Sequence, residues 1–319
     1  MKKALYILVL SSILISCNNT NQIKKTTKSE NQSLKNDLLP SKVIVYKEVN
    51  FRKQSIPEWT KGVDSIYMDQ LNEAVLNSDV QLYSSNIEYL PNTKEKISHE
   101  DVHNNMKADG EISALYFIDS WAFDKKTYSF TKNVESWSPV LSFLKKNKNR
   151  NNETVLKKSK MLLYDLRNNF EGDEKKIAEN ITYEVSFNEG TPNNKYLDIE
   201  KLAKMIVDPV LNGKKKAYDF FEKTELKPID IKYTLGYSLD SLEEENIKTG
   251  EWEVKQVETP EDLSTIKAFI FVEDWYIDTT TFAIRKKVKS IAPVIIKTKI
   301  DSDGEAYQSK KIAFIVPFK

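Results

Sequence analysis

The sequence predicts an α+β protein made of two tandem copies of one unit, a helix followed by antiparallel strands. Three observations predict it. FIDSWAFDKKTYSFTKNVESWSPV, Phe117 to Val140, aligns without a gap to FVEDWYIDTTTFAIRKKVKSIAPV, Phe271 to Val294. Helical periodicity precedes both segments, through Tyr67, Leu71, Ala74 and Val75 in one half and Ile199, Leu202, Ile206 and Val207 in the other. Within each segment apolar and polar residues partly alternate, from Tyr128 to Trp137 and from Phe282 to Ile291, as in strands with one wet face.

The chain opens with MKKALYILVLSSILISCNN. Lys2 and Lys3 precede an apolar run, Ala4 to Ser16, that is shorter than the ~20 residues a spanning helix needs. Residues 1–16 therefore read as a secretory signal peptide. Leu14-Ile15-Ser16-Cys17 resembles the bacterial lipobox, and by that resemblance Cys17 is lipidated and becomes the mature N-terminus. Cys17 is the only cysteine, which leaves the mature chain no internal disulfide, zinc–cysteine site or thiol nucleophile. Residues 17–40, rich in Asn, Thr, Ser and Lys, cannot bury enough apolar surface to fold and read as a flexible tether. No acidic cluster follows the cysteine, so the expected location is the outer membrane, facing the periplasm.

The 48 Lys and Arg nearly cancel the 47 Asp and Glu, which argues against a dedicated nucleic-acid binder. Eight glycines in the whole chain argue against a phosphate-cradling loop.

The first copy is expected over 41–170 and the second over 171–319. Phe117/Phe271, Trp121/Trp275, Asp124/Asp278, Lys132/Lys286, Val134/Val288, Ser136/Ser290 and Pro139/Pro293 coincide, and Asp119/Glu273 and Tyr128/Phe282 keep their character. Upstream, VLNSDVQLYS from Val75 matches VLNGKKKAYD from Val210, pairing Tyr83 with Tyr218, and Asp208-Pro209 should end or kink the second helix. Ala114 to Ile118 and Ala268 to Val272 suit buried strands, Asp124 to Thr127 and Asp278 to Thr281 the turns after them. KMLLYDL from Lys160 and KIAFIVPF from Lys311 are expected to close each copy. The tryptophans and phenylalanines of these strands read as core.

HEDVH, His99 to His103, spells the zinc-peptidase pattern H-E-x-x-H and holds both histidines of the chain. A catalytic zinc needs a third protein ligand, which here would have to be a carboxylate such as Glu111 or Glu135. The alternative reading is a helix start, with Ser98 as the cap and Asp101 reaching back to it. The second half offers ETPEDLSTIK from Glu258 in the same place, with Pro260 at the first helical position and no histidine. The helix start is favoured, with no metal and no cofactor. Asp301-Ser302-Asp303-Gly304 resembles the opening of a calcium loop, but Ile312 stands where its bidentate glutamate belongs, so a hairpin turn is expected. The run Lys145 to Lys160 is basic and reads as a solvated loop or a contact for an acidic partner. Asp119 and Glu273 also admit a glycosidase-like carboxylate pair.

The segment Ala268 to Ile295 resembles the GldN/PorN family of the gliding and type IX secretion machinery. The resemblance rests on Glu273-Asp274-Trp275, Asp278 and Ser290-Ile291-Ala292-Pro293-Val294. The first half matches through Trp121, Phe123, Asp124, Ser138 and Pro139. Trp121, Asp124, Pro139, Trp275, Asp278 and Pro293 are thus the family-motif positions, structural in role. The resemblance implies a periplasmic structural protein without catalytic residues, assembling as a ring with a GldK/PorK-like lipoprotein. Two features mark a divergent, lipoprotein-type member. KVIVYKEVNFRKQSIPEW lacks the family's Trp-rich N-terminal segment, and Cys17 places a lipid on what is normally the unlipidated partner.

The function expected is therefore a non-enzymatic structural or binding lipoprotein of the cell envelope, acting on envelope proteins and on further copies of itself. Two alternatives stand beside it, a zinc-dependent hydrolase using HEDVH and a solitary envelope lipoprotein that binds glycan or protein.

Overall fold

The computed structural model describes residues 43–50, 63–84, 95–106, 110–148, 154–187, 198–245 and 247–318. The signal peptide, Cys17 and the tether lie outside these residues. In chain order the elements are β1 (Val43–Asn50), α1 (Ser65–Leu76), β2 (Leu82–Tyr83), β3 (Lys96–Ile97), α2 (His99–Met106), β4 (Gly110–Asp124), β5 (Ser129–Lys148), β6 (Thr154–Leu162) and β7 (Leu166–Arg167). There follow β8 (Glu174–Ser186), α3 (Ile199–Leu211), β9 (Ala217–Tyr218), β10 (Glu225–Leu226), α4 (Pro228–Thr234), β11 (Ser238–Glu245), β12 (Trp252–Thr259), β13 (Ile266–Asp278), β14 (Ile284–Ile300), β15 (Ala306–Ile312) and β16 (Val316–Pro317).

The expected α+β class, tandem helix-plus-strand units, is corrected: among the described residues strands take 55% and helices 18%, so the protein is mostly β. Two five-stranded antiparallel sheets carry the fold, one ordered β1-β4-β5-β6 with β7 on β5, the other β8-β13-β14-β15 with β16 on β14. The helical periodicity was real but belongs to short elements. The strands were underestimated for two reasons. The leading edge strands β1 and β8 lie outside the matched segments. The hairpins also run on into charged sequence, β5 reaching Lys148, where alternation of apolar and polar residues stops.

The order of elements in one sheet repeats in the other, down to its irregularities. Register shifts fall between Ile112/Ala114 and Ile118/Asp119 in β4, and between Ile266/Ala268 and Val272/Glu273 in β13. In each sheet the latter shift leaves one extra residue on the partner strand, Glu135 on β5 and Lys289 on β14, as a β-bulge does. Asp64 and Asp198 cap α1 and α3, accepting from Ile66 N and Lys201 N at 3.0 Å each. Asn77 and Asn212 end these helices, so the shared Val-Leu-Asn is a common helix stop. Pro209 does not end α3, which continues to Leu211: only one N–H is lost, in the last turn, where few bonds remain to break. Tyr83 and Tyr218 form matching bridges to Asp165 and Ile315.

The inner faces of the two sheets share one core with α1 and α3. Trp121, Trp137, Trp275, Phe117, Phe269 and Phe271 are among its largest fully buried side chains, as expected of these aromatics. Their contacts cross between the sheets reciprocally: Phe117 meets Trp275 at 5.1 Å and Phe271 meets Trp121 at 4.9 Å, in edge-on and tilted geometries that aromatic quadrupoles favour.

Candidate functional site

The bulges place one carboxylate of each long strand among these rings. Asp119 and Glu273 are 1% and 0% exposed, and Lys132 and Lys286, on β5 and β14, are equally enclosed. Neither lysine pairs with the acid of its own sheet. Lys286 Nζ lies 2.9 Å from Asp119 Oδ2, and Lys132 Nζ lies 2.8 Å from Glu273 Oε1. Each ammonium also sits over a ring of the opposite sheet, Lys132 at 3.2 Å from the centre of Phe271 and Lys286 at 3.3 Å from that of Phe117. Cation–π attraction there is stronger for being desolvated. Tyr183 of β8 accepts from Lys132 Nζ at 3.0 Å and donates to Glu273 Oε2 at 2.9 Å.

Burial sets the electrostatics. It pushes Asp119 above the ordinary carboxylate value against the pull of Lys286 and Lys132. It lowers Lys132 to about 8, with Glu273 and Asp119 pulling the other way. Burial also opposes the charge of Glu273, yet Lys132, Lys286 and the Trp275 N–H together hold that carboxyl below its ordinary value. The Tyr183 hydroxyl is raised well above 10.0 by burial and by the neighbouring carboxylates.

One bond breaks the reciprocity. Trp275 Nε1 donates to Glu273 Oε2 at 2.9 Å, whereas Trp121 Nε1 is buried without a hydrogen-bond partner among the described residues. Asp119 is one methylene shorter than Glu273, and its carboxylate is drawn to Lys286 instead.

The other motif positions make hydrogen bonds within the fold. Asp124 Oδ1 accepts from Lys126 N and Thr127 N, and Asp278 Oδ1 from Thr280 N and Thr281 N, each closing the hairpin turn that the sequence suggests. Asp278 reaches further: its Oδ2 accepts from Glu171 N at 2.7 Å and Gly172 N at 2.8 Å, tying the start of β8 to the turn. Burial opposes its charge, but these N–H groups outweigh it and hold the carboxyl well below its ordinary value. Tyr128 and Phe282 follow these turns with φ of 51° and 56°, a left-handed conformation costly for a ring-bearing residue. The Phe282 carbonyl accepts from Trp137 Nε1 at 3.0 Å, a further link between the sheets. Pro139 and Pro293 lie in the long strands, their carbonyls accepting from Leu163 N and Ala313 N where β6 and β15 end.

HEDVH forms α2, and Ser98 caps it: Asp101 N donates to Ser98 Oγ at 3.1 Å and Ser98 N to Asp101 Oδ2 at 3.3 Å. Among the described residues no three His, Cys, Asp or Glu side chains converge to hold a metal. The pairing with ETPEDL is corrected. There Asp262, not Thr259, caps a single 3-10 turn, Leu263–Thr265, and Pro260 precedes it. The element that corresponds to α2 is α4, where Pro228 occupies the first position and Asp230 Oδ2 accepts from Lys227 N at 3.1 Å. Val102 and Ile231 match as buried residues. The β11–β12 hairpin is extra sequence in the second half, and it displaced the alignment, which by itself puts seven extra residues before the strand of the first half. Asp301 to Gly304 is the expected hairpin turn, with Gly304 at φ 83°. Asp119 and Glu273 are sealed in the core against lysines and are not exposed to a glycoside. An open polar recess of about 620 Å³ lies over Tyr83, Glu135, Arg167 and Asn168, its walls already engaged by stacking of Arg167 on Tyr83.

Residues 174–319 match the family model described as gliding motility associated protein GldN. This C-terminal segment is similar to the GldN family. The match covers the strands from β8 to β16, and with them Glu273, Trp275, Asp278, Lys286 and Pro293 of the GldN segment. Among curated proteins, no sequence matches the chain. No helix among the described residues is long and apolar enough to cross a membrane.

Sequence reasoning missed Tyr183 and the role of the two lysines. A signal was present: Lys132 stands in phase with Phe130 and Val134, and Lys286 with Ile284 and Val288, all buried positions. A lysine at the inward step of an alternating strand, repeated in both halves beside a repeated acid, marks a buried ion pair.

Proposed function

We propose that the protein is a non-enzymatic, lipid-anchored structural component of the gliding-motility and type IX secretion machinery. The observation that carries this reading is the match of residues 174–319 to the GldN family. The charged residues of the motif support it, because Asp119, Glu273, Lys132 and Lys286 are spent on joining two sheets and are closed to substrate. Such a core makes a rigid body whose outer surfaces are the working parts. On this reading 41–170 and 171–319 are two GldN-like repeats. Residues 17–40 tether them to a lipidated Cys17 at the outer membrane, facing the periplasm. The partners are envelope proteins, a GldK/PorK-like lipoprotein among them.

Gene deletion with complementation tests the role. Loss of colony spreading and of secreted cargo, restored by the intact gene, is expected. Normal spreading and secretion in the deletion strain contradict it. Cross-linking in whole envelopes should recover a lipoprotein of the same machinery. Metabolic labelling with a fatty acid should mark the intact chain and not a Cys17→Ala variant.

A further inference from the structure

The two halves differ in how one equivalent place is filled. Asn168 N donates to the Glu135 carbonyl at 3.0 Å and Phe318 N to that of Lys289 at 2.7 Å, so Asn168 and Phe318 correspond. The bridges of Tyr83 and Tyr218 likewise put Val80 and Lys215 in register, each three residues upstream of its tyrosine. In the second half Phe318 is 7% exposed, its ring meets Phe130 at 6.2 Å, and Lys215 Nζ lies 4.4 Å above it. In the first half the smaller Asn168 and Val80 stand in these places, and the open recess of about 620 Å³ lies there instead. That volume is in the range of ligand sites, about 300–1,000 Å³.

The walls of the recess are polar and held in place. Arg167 stacks on Tyr83 at 4.2 Å, and Glu135 Oε1 accepts from Ser120 Oγ at 2.6 Å. Asn168 Oδ1 accepts from Ile284 N at 2.6 Å, which ties this wall to the other sheet. A guanidinium carries five donors, a carboxylate about four acceptor sites and an amide both kinds, so these contacts orient the groups without exhausting them. Gln81, Asn169, Thr280 and Thr281 add further amides and hydroxyls to the lining.

This lining discriminates among ligands. The charges of Arg167 and Glu135 cancel, which disfavours a phosphate or another free anion. One carboxylate is too few to hold a hard cation. Val80 and Leu166 alone among the lining residues are aliphatic, too few for the alternating side-chain pockets in which peptide strands are read. A hydroxyl donates and accepts at once, so a ligand bearing many of them can use amide, guanidinium, carboxylate and hydroxyl walls together.

We propose that the recess beside Tyr83 and Arg167 binds a sugar chain, whose hydroxyls pair with Arg167, Glu135, Gln81 and the amide of Asn168. Because the recess is open, it suits a few units of a longer glycan better than an enclosed monosaccharide. The proposal is separate from the secretion role, which a chain with no sugar site would serve equally.

Titration calorimetry of the full chain, in a detergent without a sugar headgroup, tests it with tetramers of glucose and of N-acetylglucosamine. At least one tetramer is expected to bind with a Kd of about 1 mM or below. Q81A/R167A changes two exposed residues and should weaken binding at least about tenfold, with unchanged circular dichroism. V80K/N168F installs the side chains with which the second half fills its own site, and it should abolish binding. Asn168 also holds Ile284 N, so this variant is read beside Q81A/R167A. Tetra-alanine, the peptide probe, should not bind. Three results overturn the proposal: neither sugar binds at about 10 mM, Q81A/R167A binds as the native chain does, or tetra-alanine binds as tightly as the sugars.

Discussion

Lys286 of β14 lies 2.9 Å from Asp119 of β4, and neither has an oppositely charged partner at that site within its own sheet. The converse contact, Lys132 with Glu273 at 2.8 Å, crosses the core the other way. Half of each ion pair comes from each sheet. A slipped packing of the two sheets would bury a lysine and an acid away from their counterions. The pairs therefore select one packing of the two sheets over all slipped ones, which purely apolar faces would discriminate less sharply.

Breaking one member should cost far more than removing a pair. Lys132→Met leaves Glu273 buried with a missing counterion and is expected to lose about 3–5 kcal/mol of unfolding free energy. The double variant K132M/E273Q removes both charges while keeping an acceptor for Tyr183 and Trp275, and should recover most of that loss. Urea unfolding followed by tryptophan fluorescence reads both. Additive losses in the double variant would show that the two residues are not coupled.

The sequence disclosed the long strands of both sheets, the turns at Asp124 and Asp278, and the aromatic core, because each leaves a local trace. Alternation marks Tyr128 to Trp137, an Asx side chain marks a turn, and the duplication doubles the evidence for both. The edge strands β1 and β8 were not legible, since an edge strand needs only a ladder partner and repeats no motif. Nor was the pairing between sheets, which depends on residues more than a hundred positions apart. The β11–β12 hairpin misled directly: inserted after α4, it made ETPEDL resemble the counterpart of SHEDVH by its letters, although topology assigns that place to Lys227-Pro228-Ile229-Asp230-Ile231.

Acid should act on the turn of the second half. The folded Asp278 carboxyl is held well below 3.8, its ordinary value, despite the opposing effect of burial. As pH falls below that value the unfolded chain takes up a proton that the native chain does not, so stability is lost towards the folded pKa. Asp278→Asn should flatten this part of the acid limb while lowering stability at neutral pH. Midpoints of urea unfolding from pH 5 downward measure the difference in slope.

Alkali should act on the core, where the same direction of shift makes stability rise with pH. Lys132 titrates at about 8 when folded against 10.5 ordinarily, so between these values the unfolded chain holds a proton that the native chain has released. Stability from this group rises with pH across that window. Tyr183, ordinarily 10.0 and raised when folded, opposes the rise above that point, so the gain is expected between about 8 and 10. Lys132→Met abolishes it. An unfolding free energy that is flat or falling in the native protein over this window contradicts the assignment.

His99 occupies the place that Pro228 fills in the matching helix, and its Nε2 is buried without a hydrogen-bond partner among the described residues. The first position of a helix needs no N–H, and proline there restricts the unfolded chain. His99→Pro should therefore stabilise the protein by roughly 0.4–1 kcal/mol. A zinc site at His99 and His103 predicts the reverse, a loss of bound metal together with a loss of stability. Thermal unfolding and metal analysis of the same sample separate the two.

The orphaned indole of Trp121 offers the finest test of the reciprocity. Glu273 has the length to satisfy both Lys132 and the Trp275 N–H, while Asp119 serves Lys286 alone. Asp119→Glu adds the missing methylene and should bring an oxygen to Trp121 Nε1, as its counterpart does. The gain from the new bond, about 1 kcal/mol or more to a charged acceptor, competes with overpacking of one methylene, which costs about 1–3 kcal/mol. Net stability is thus a poor readout, and the indole proton is a good one. Its amide-type exchange should slow and its resonance move downfield, towards that of Trp275. An unchanged Trp121 signal would mean that the lysine, and not the length of the acid, decides where the carboxylate points.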